Sequence, residues 1–326
     1  MRKRSPIAPR RWKKLVLGAA ALAGLGIPIV VGILNAPAIR AQDSTDWQTR
    51  AGGRMAFDVA SIKPSKGAFV LSNFPLDPSD DYYGATNGRL TAADTLAEYI
   101  EFAYKVWGNE AQSREFSHLP KWVNTDRYTI EARAATGNPT KDQMRLMVQA
   151  LLADRFELRA HFETREVPVF ELRLAKPGKP GPKLISHADG PPCDKPDASP
   201  VAEVPSFHFA CHAFGPFIDL GTKMIVGSRD VSMDVLAGTI SEALAGPLAF
   251  GRPIIDKTGL TGRFDFTLEW ARERRTPAGS DSPVASDPIG PTPLEALREQ
   301  LGLKLEPAKA SIPILVIDKV ERPSEN

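Results

Sequence analysis

Only two cysteines, Cys193 and Cys211, occur in the 326 residues, which excludes a disulfide-dense scaffold and a cysteine-rich zinc module. An excess of one charge is also missing. The chain sets 41 Lys and Arg against 39 Asp and Glu, and 42% of it is hydrophobic, so disorder throughout is excluded. There is no second long apolar run, which excludes a polytopic membrane protein. Familiar catalytic signatures are absent as well. The sequence has no His-Glu-x-x-His zinc helix, no Gly-x-Ser-x-Gly elbow, no Ser-x-x-Lys and no phosphate-cradling glycine loop.

The one long apolar run lies near the start. Seven basic side chains, from Arg2 to Lys14, precede the uncharged stretch Leu15 to Leu34. A basic region followed by an apolar segment is an export signal, and its basic side stays in the cytoplasm. Small-residue cleavage sites follow near Ala38 and Ala41, so a cleaved signal peptide is one outcome. An uncleaved transmembrane anchor is the other, because twenty residues at ~1.5 Å each span a ~30 Å hydrocarbon core. Arg10-Arg11 suggests a twin-arginine signal, but Lys13 and Lys14 occupy places that signal usually leaves apolar. On either outcome the rest is exported, to the periplasm or beyond, and the membrane is a partner only if the segment is retained.

Past residue 41 the balance is 33 basic against 39 acidic side chains, a net of −6. The basic character belongs to the leader, so nucleic acid is not an expected partner. Two stretches read as connectors: Lys176 to Ser206 with eight prolines, and Thr276 to Pro293 with five. Between them Phe57 to Ile62 alternates as a strand. Leu96, Ile100, Ala103 and Trp107 share a helical face behind an N-cap at Thr91 or Asp94, and Arg127 to Ala132 is the next strand. Thr140 to Gln143 is a capping box opening a helix. Phe156 to Phe162 and Val167 to Leu174 read as two strands joined by a charged turn.

The second half repeats this order. Arg89 to Ala97 matches Arg229 to Ala237, Asp126-Arg127-Tyr128 resembles Gly262-Arg263-Phe264, and the capping box recurs at Thr292 to Glu295 with Pro293 in the first turn. Leu303 to Leu305 parallels Phe156 to Leu158, and Ile312-Pro313-Ile314 parallels Val167-Pro168-Val169. The expected fold class is therefore α+β: two copies of a strand-helix-strand/helix-strand-strand unit with small, mostly antiparallel sheets, after an N-terminal apolar helix. The expected boundaries are 1–41 for the signal peptide or anchor, 42–175 for the first repeat, 176–207 for the Pro-rich connector and 208–326 for the second repeat. Ile314 to Val320 would close the second sheet.

Few residues suggest chemistry. Cys193 and Cys211, even in number and in an exported chain, are expected to form a disulfide closing about 17 intervening residues, worth ~3 kcal/mol. A metal site with His208 and His212 would need reduced thiolates, and its spacing matches no zinc pattern. No metal, cofactor or catalytic residue is therefore expected. Asp256-Lys257-Thr258-Gly259 looks like a phosphorylated aspartate, but a tight turn through Gly259 and Gly262 explains the same letters. His118, His161 and His187 read as surface residues. Asp77, Asp80 and Asp81 lack the spacing of a calcium loop. Trp122 sits in a connection and is the candidate ligand contact.

Phe57 to Pro64, Asp126 to Tyr128, Leu151 to Phe156, Pro253 to Gly262 and the terminal Leu315 to Asp318 with Glu321 to Asn326 together resemble the soil-associated family of exported bacterial proteins. That family is a domain of unknown function, and some of its members are fused to membrane metallopeptidases of β-lactam-sensor type. The resemblance spans about residues 56 to 326 and carries over no catalytic residue. It implies an extracytoplasmic protein at the cell envelope. The expected role is a non-enzymatic binding or sensory module for a protein, peptide or glycan. The alternative is a hydrolase with an unrecognised carboxylate site, recognisable by a concave pocket whose carboxylates titrate abnormally.

Overall fold

The computed structural model describes residues 46–65, 72–79, 86–135, 137–190, 192–193, 209, 211–212, 217–245, 251–272 and 290–323. Ser44–Asn326 is one compact unit. The apolar stretch Leu15 to Leu34 lies outside the described residues, and no helix among those described is long and apolar enough to cross a membrane. The fold is α+β, and the described residues form three small sheets in which antiparallel pairing predominates.

In the first half a short helix α1 (Asp46–Arg50) precedes strands β1 (Val59–Pro64), β2 (Arg89–Thr95) and β3 (Arg127–Arg133), which pair antiparallel in the order β1-β3-β2. Helix α2 (Leu96–Tyr104) follows β2 directly. Its N-cap is Thr95, the last residue of β2, and not Thr91 or Asp94, because it is the Thr95 hydroxyl that accepts from Glu98 N. Thr95 and Glu98 form a full capping box. The helix stops at a left-handed Lys105, φ 55°, so Trp107 lies beyond it rather than on its apolar face. Helices α3 (Glu110–Phe116) and α4 (Trp122–Thr125) fill the connection to β3, and α5 (Lys141–Arg155) starts at the expected Thr140–Gln143 box. Leu96, Ile100, Ile130, Met144, Val148 and Leu152 make the buried centre of this half.

Strand β4 (Arg159–Leu174) then runs for 16 residues without a turn. The charged stretch Glu163 to Glu166 was expected to be that turn. It has no Gly, Asn or Pro to reverse the chain, and its side chains stand outward from a continuous ladder with Ser311 to Ile314. After β5 (Leu184–Ser186), β6 (Phe217–Asp219) and β7 (Lys223–Val231) come helix α6 (Met233–Ala245), β8 (Ile254–Asp256) and β9 (Phe264–Ala271). The sheet order is β5-β9-β7-β6. Helix α7 (Pro293–Gln300) begins at the Thr292–Glu295 box, and β10 (Leu303–Lys319) is the last strand.

The element order β2-α2-β3-α5-β4 thus recurs as β7-α6-β9-α7-β10. The structural correspondence differs from the sequence match by a few residues. Ser232, whose hydroxyl accepts from Val235 N, corresponds to the N-cap Thr95, and β9 begins at the place of β3. Arg89 therefore does not align with Arg229. Leu301 caps α7 as Phe156 caps α5, which sets Leu303 against Leu158 and keeps Pro313 against Pro168.

The two copies are joined by their final strands. β4 and β10 pair antiparallel over their whole length, from Leu303↔Leu174 to Lys319↔Arg159. At one end Leu158, Phe162, Leu315 and Ile317 pack on the first core; at the other Leu172, Leu174, Leu303 and Leu305 pack on the second. Ile314 to Val320 therefore serves the first half, contrary to the expectation that it closes the second sheet. The free edge of β10 is covered by a side chain: buried Gln112 of α3 donates to Leu315 O (2.9 Å) and accepts from Leu315 N (3.0 Å). β8 lies along the opposite edge, parallel to Phe170–Leu172 of β4.

Candidate functional site

Two places gather polar side chains. The first is a cleft of about 280 Å³ between the segment Leu76–Pro78, the N-terminal turns of α2 and the chain after its C-terminus, bounded by Asp77, Asp94, Glu98, Glu101 and Trp107. Its geometry begins inside the protein. Arg145 of α5 is fully buried and donates to Phe102 O (3.2 Å) and Asp77 O (3.2 Å), to Ser79 O, and to Asp142 Oδ1 (2.6 Å). Buried Lys141 reaches both Asp77 carboxylate oxygens at 2.9 Å. These two cations tie the loop at Asp77 to α5 and α2 and so fix one wall. The other wall is Trp107, whose indole lies against Gly238 of α6, where a Cβ would come within 2.8 Å of the ring.

The carboxylates of the cleft titrate apart. Burial, with the hydrogen bond and charge of Glu98, pushes Asp94 up to about 7, against the pull of Arg127. For Glu98 burial also opposes ionisation, but hydrogen bonds from Asp94 and from the backbone and hydroxyl of Thr95 outweigh it and hold its carboxyl low. Asp77 is likewise held low, burial being outweighed by Lys141 and Ser79. At neutral pH the cleft thus carries firm negative charge beside one carboxyl that gains or loses a proton there. Asp80 and Asp81 lie outside the described residues.

The second place surrounds the disulfide. Cys193 and Cys211 are bonded, with Cα atoms 5.7 Å apart. β7 carries a bulge after Ser228, and Asp230 within it takes a left-handed φ of 51°. His212 is also left-handed, φ 57°. Non-glycine residues in that region carry strain that the surroundings must hold. Here His212 N donates to Arg229 O (2.8 Å), Asp230 N donates to Asp265 Oδ1 (2.8 Å), and Arg263 Nε donates to Asp230 Oδ1 (2.9 Å). Burial raises Asp230, but Arg263 and the two histidines outweigh it and hold the carboxyl low. His187 is not a loose surface residue: its Nδ1 is 2.7 Å from Asp265 Oδ1 and its Nε2 is 3.6 Å from Cys193 Sγ. Its site was hidden in the sequence because Asp265 lies 78 residues away. His208 lies outside the described residues.

The remaining candidates resolve simply. Trp122 stacks on Phe156 (6.4 Å between centroids), meets Tyr128 edge-on, and carries the Arg322 guanidinium 5.1 Å from its ring. Gly259 (φ 71°) and Gly262 (φ 106°) make the turn expected after Asp256, whose carboxylate accepts from Thr258 N (2.9 Å) and Oγ1 (2.7 Å). His161 is exposed between Asp318 and Glu163, whose hydrogen bonds raise its titration.

The described residues thus hold paired copies of a small α+β unit, a disulfide and an acid-lined cleft. The family described as "Protein of unknown function (DUF3738)" matches over residues 97–320, and the chain belongs to it. No curated protein and no solved structure matches the chain.

Proposed function

We propose that the protein works outside the cytoplasm as a non-enzymatic binding or sensory module of the cell envelope. The export-type leader and the Cys193–Cys211 disulfide support that location, because disulfides persist in oxidising compartments. The likeness to the soil-associated exported family, with its membrane-fused relatives, agrees with it. The observation that carries the binding role is the cleft. Glu98, Glu101 and the Trp107 indole beside Asp94 suit a cationic group on a peptide or an amino-bearing glycan, held by charge and by the ring face.

Calorimetric titration of the full chain with lysine- and arginine-containing peptides and with glucosamine oligomers tests this reading. Saturable binding is expected, weakened by Trp107→Ala and weakened again as pH falls through about 7, where Asp94 gains its proton. Absence of binding, or binding untouched by Trp107→Ala and Asp94→Asn, would overturn it.

The opposed titration of Asp94 and Glu98 favours one second reading, a hydrolase in which Asp94 is the acid and Glu98 the charged partner. That reading requires turnover of a polysaccharide or cell-wall substrate, lost in both Asp94→Asn and Glu98→Gln.

A further inference from the structure

We infer that the Cys193–Cys211 bond covers a latent Cys2His2 zinc site, completed by His187 and His212 when the bond is reduced. Two overlapping sets of donor atoms share Cys193. One joins it with His187 and Cys211, the other with His212 and Asp230, and within each set the donor atoms lie within 4.8 Å of one another. A tetrahedral zinc ion with ligands at about 2.0–2.3 Å needs neighbouring donors about 3.3–3.8 Å apart. The separation between His187 Nε2 and Cys193 Sγ is already 3.6 Å.

The His187 imidazole is oriented as a zinc ligand is. His187 Nδ1 is held by Asp265 Oδ1 at 2.7 Å; His212 Nδ1 lies between Asp230 Oδ2 (3.2 Å) and the Arg263 guanidinium (3.1 Å), so to bind through Nε2 it must give up the Arg263 contact. A carboxylate on one ring nitrogen fixes the tautomer and leaves the other nitrogen to the metal. The carboxylates are fixed in turn: Asp265 accepts from Asp230 N, and Asp230 from Arg263. The left-handed backbones of His212 and Asp230 bring these groups onto the β7 bulge beside the cysteines. A merely structural disulfide requires none of this apparatus.

The chemistry balances with a dithiol as reductant. One thiolate of the dithiol attacks Sγ of exposed Cys193, the Sγ–Sγ bond breaks, and Cys211 leaves as thiolate and takes a proton. The second thiol then displaces Cys193 from the mixed disulfide. The reductant ends as a cyclic disulfide, and its two electrons and two protons end on the two cysteines. Zinc binding releases those two protons to solvent as the thiols become thiolate ligands.

The test titrates Zn2+ into the full chain, oxidised and dithiol-reduced, against a chromogenic chelator, with native mass spectrometry to count the metal. One zinc per reduced chain and none per oxidised chain is expected. His187→Ala and His212→Ala should each weaken binding by more than about tenfold, and Asp265→Asn by about 10–100-fold. Equal affinity in the oxidised chain would overturn the proposal, as would no zinc bound to the reduced chain. Should reduction unfold the chain and its thiols bind zinc nonspecifically, the histidine variants would bind as the parent does, and that result overturns it too.

Discussion

Arg145 shows what a single side chain does here. A guanidinium with no exposed surface is tolerated because three backbone carbonyls and Asp142 replace its water. Arg145→Met keeps the volume and removes all those donors, so a loss of about 3–5 kcal/mol is expected in denaturant unfolding. Asp94 makes a prediction of opposite kind. Its folded value is raised from 3.8 to about 7, so the fold prefers its protonated form, and the associated stability is lost as pH rises through that window. Asp94→Asn should therefore raise the melting temperature above pH 7 and have little effect near pH 4; because the carboxyl is partly exposed, the gain is about 0.5 kcal/mol after screening. The sequence displayed the cysteine pair and the caps at Thr140 and Thr292, because those rest on local spacing or on count. It hid Arg145, Gln112 and His187. Their partners are backbone atoms and carboxylates brought near only by the tertiary fold, and a polar letter at such a position looks like any solvated one.

Among the elements, helices and short strands were legible wherever their period and caps were local. β4 reads as two strands in the sequence because its charged middle looks like a turn in one dimension; in three it is the exposed span between two cores. Hydrogen exchange should show alternate amides of Glu163 to Glu166 protected by the ladder, whereas a turn there would exchange at solvent rates. α6 provides a second test. Gly238→Ala places a methyl 2.8 Å from the rigid indole of Trp107, and a cost of about 1–3 kcal/mol is expected from the shift in thermal midpoint. Because Trp107 bounds the cleft, the same change should weaken any ligand held there.

For the whole molecule, the repeated order was readable from the sequence and the exchange of final strands was not, since pairing partners 129 to 160 residues apart leave no periodic trace. The first half lacks Leu315 and Ile317 unless β10 is present. A chain ending at residue 175 should thus stay unfolded by circular dichroism, and adding a fragment that carries residues 176–326 should restore the signal.

The β4–β10 ribbon also sets the order of events in time. The first core, although its helices and sheet are made early, stays open until the last described strand has left the ribosome. Its closing contacts span much of the chain, so folding should be slow and late for the molecule's size. A polypeptide whose early core needs its late strand is exposed to proteases for as long as it is being made, and truncation near its end should affect both cores.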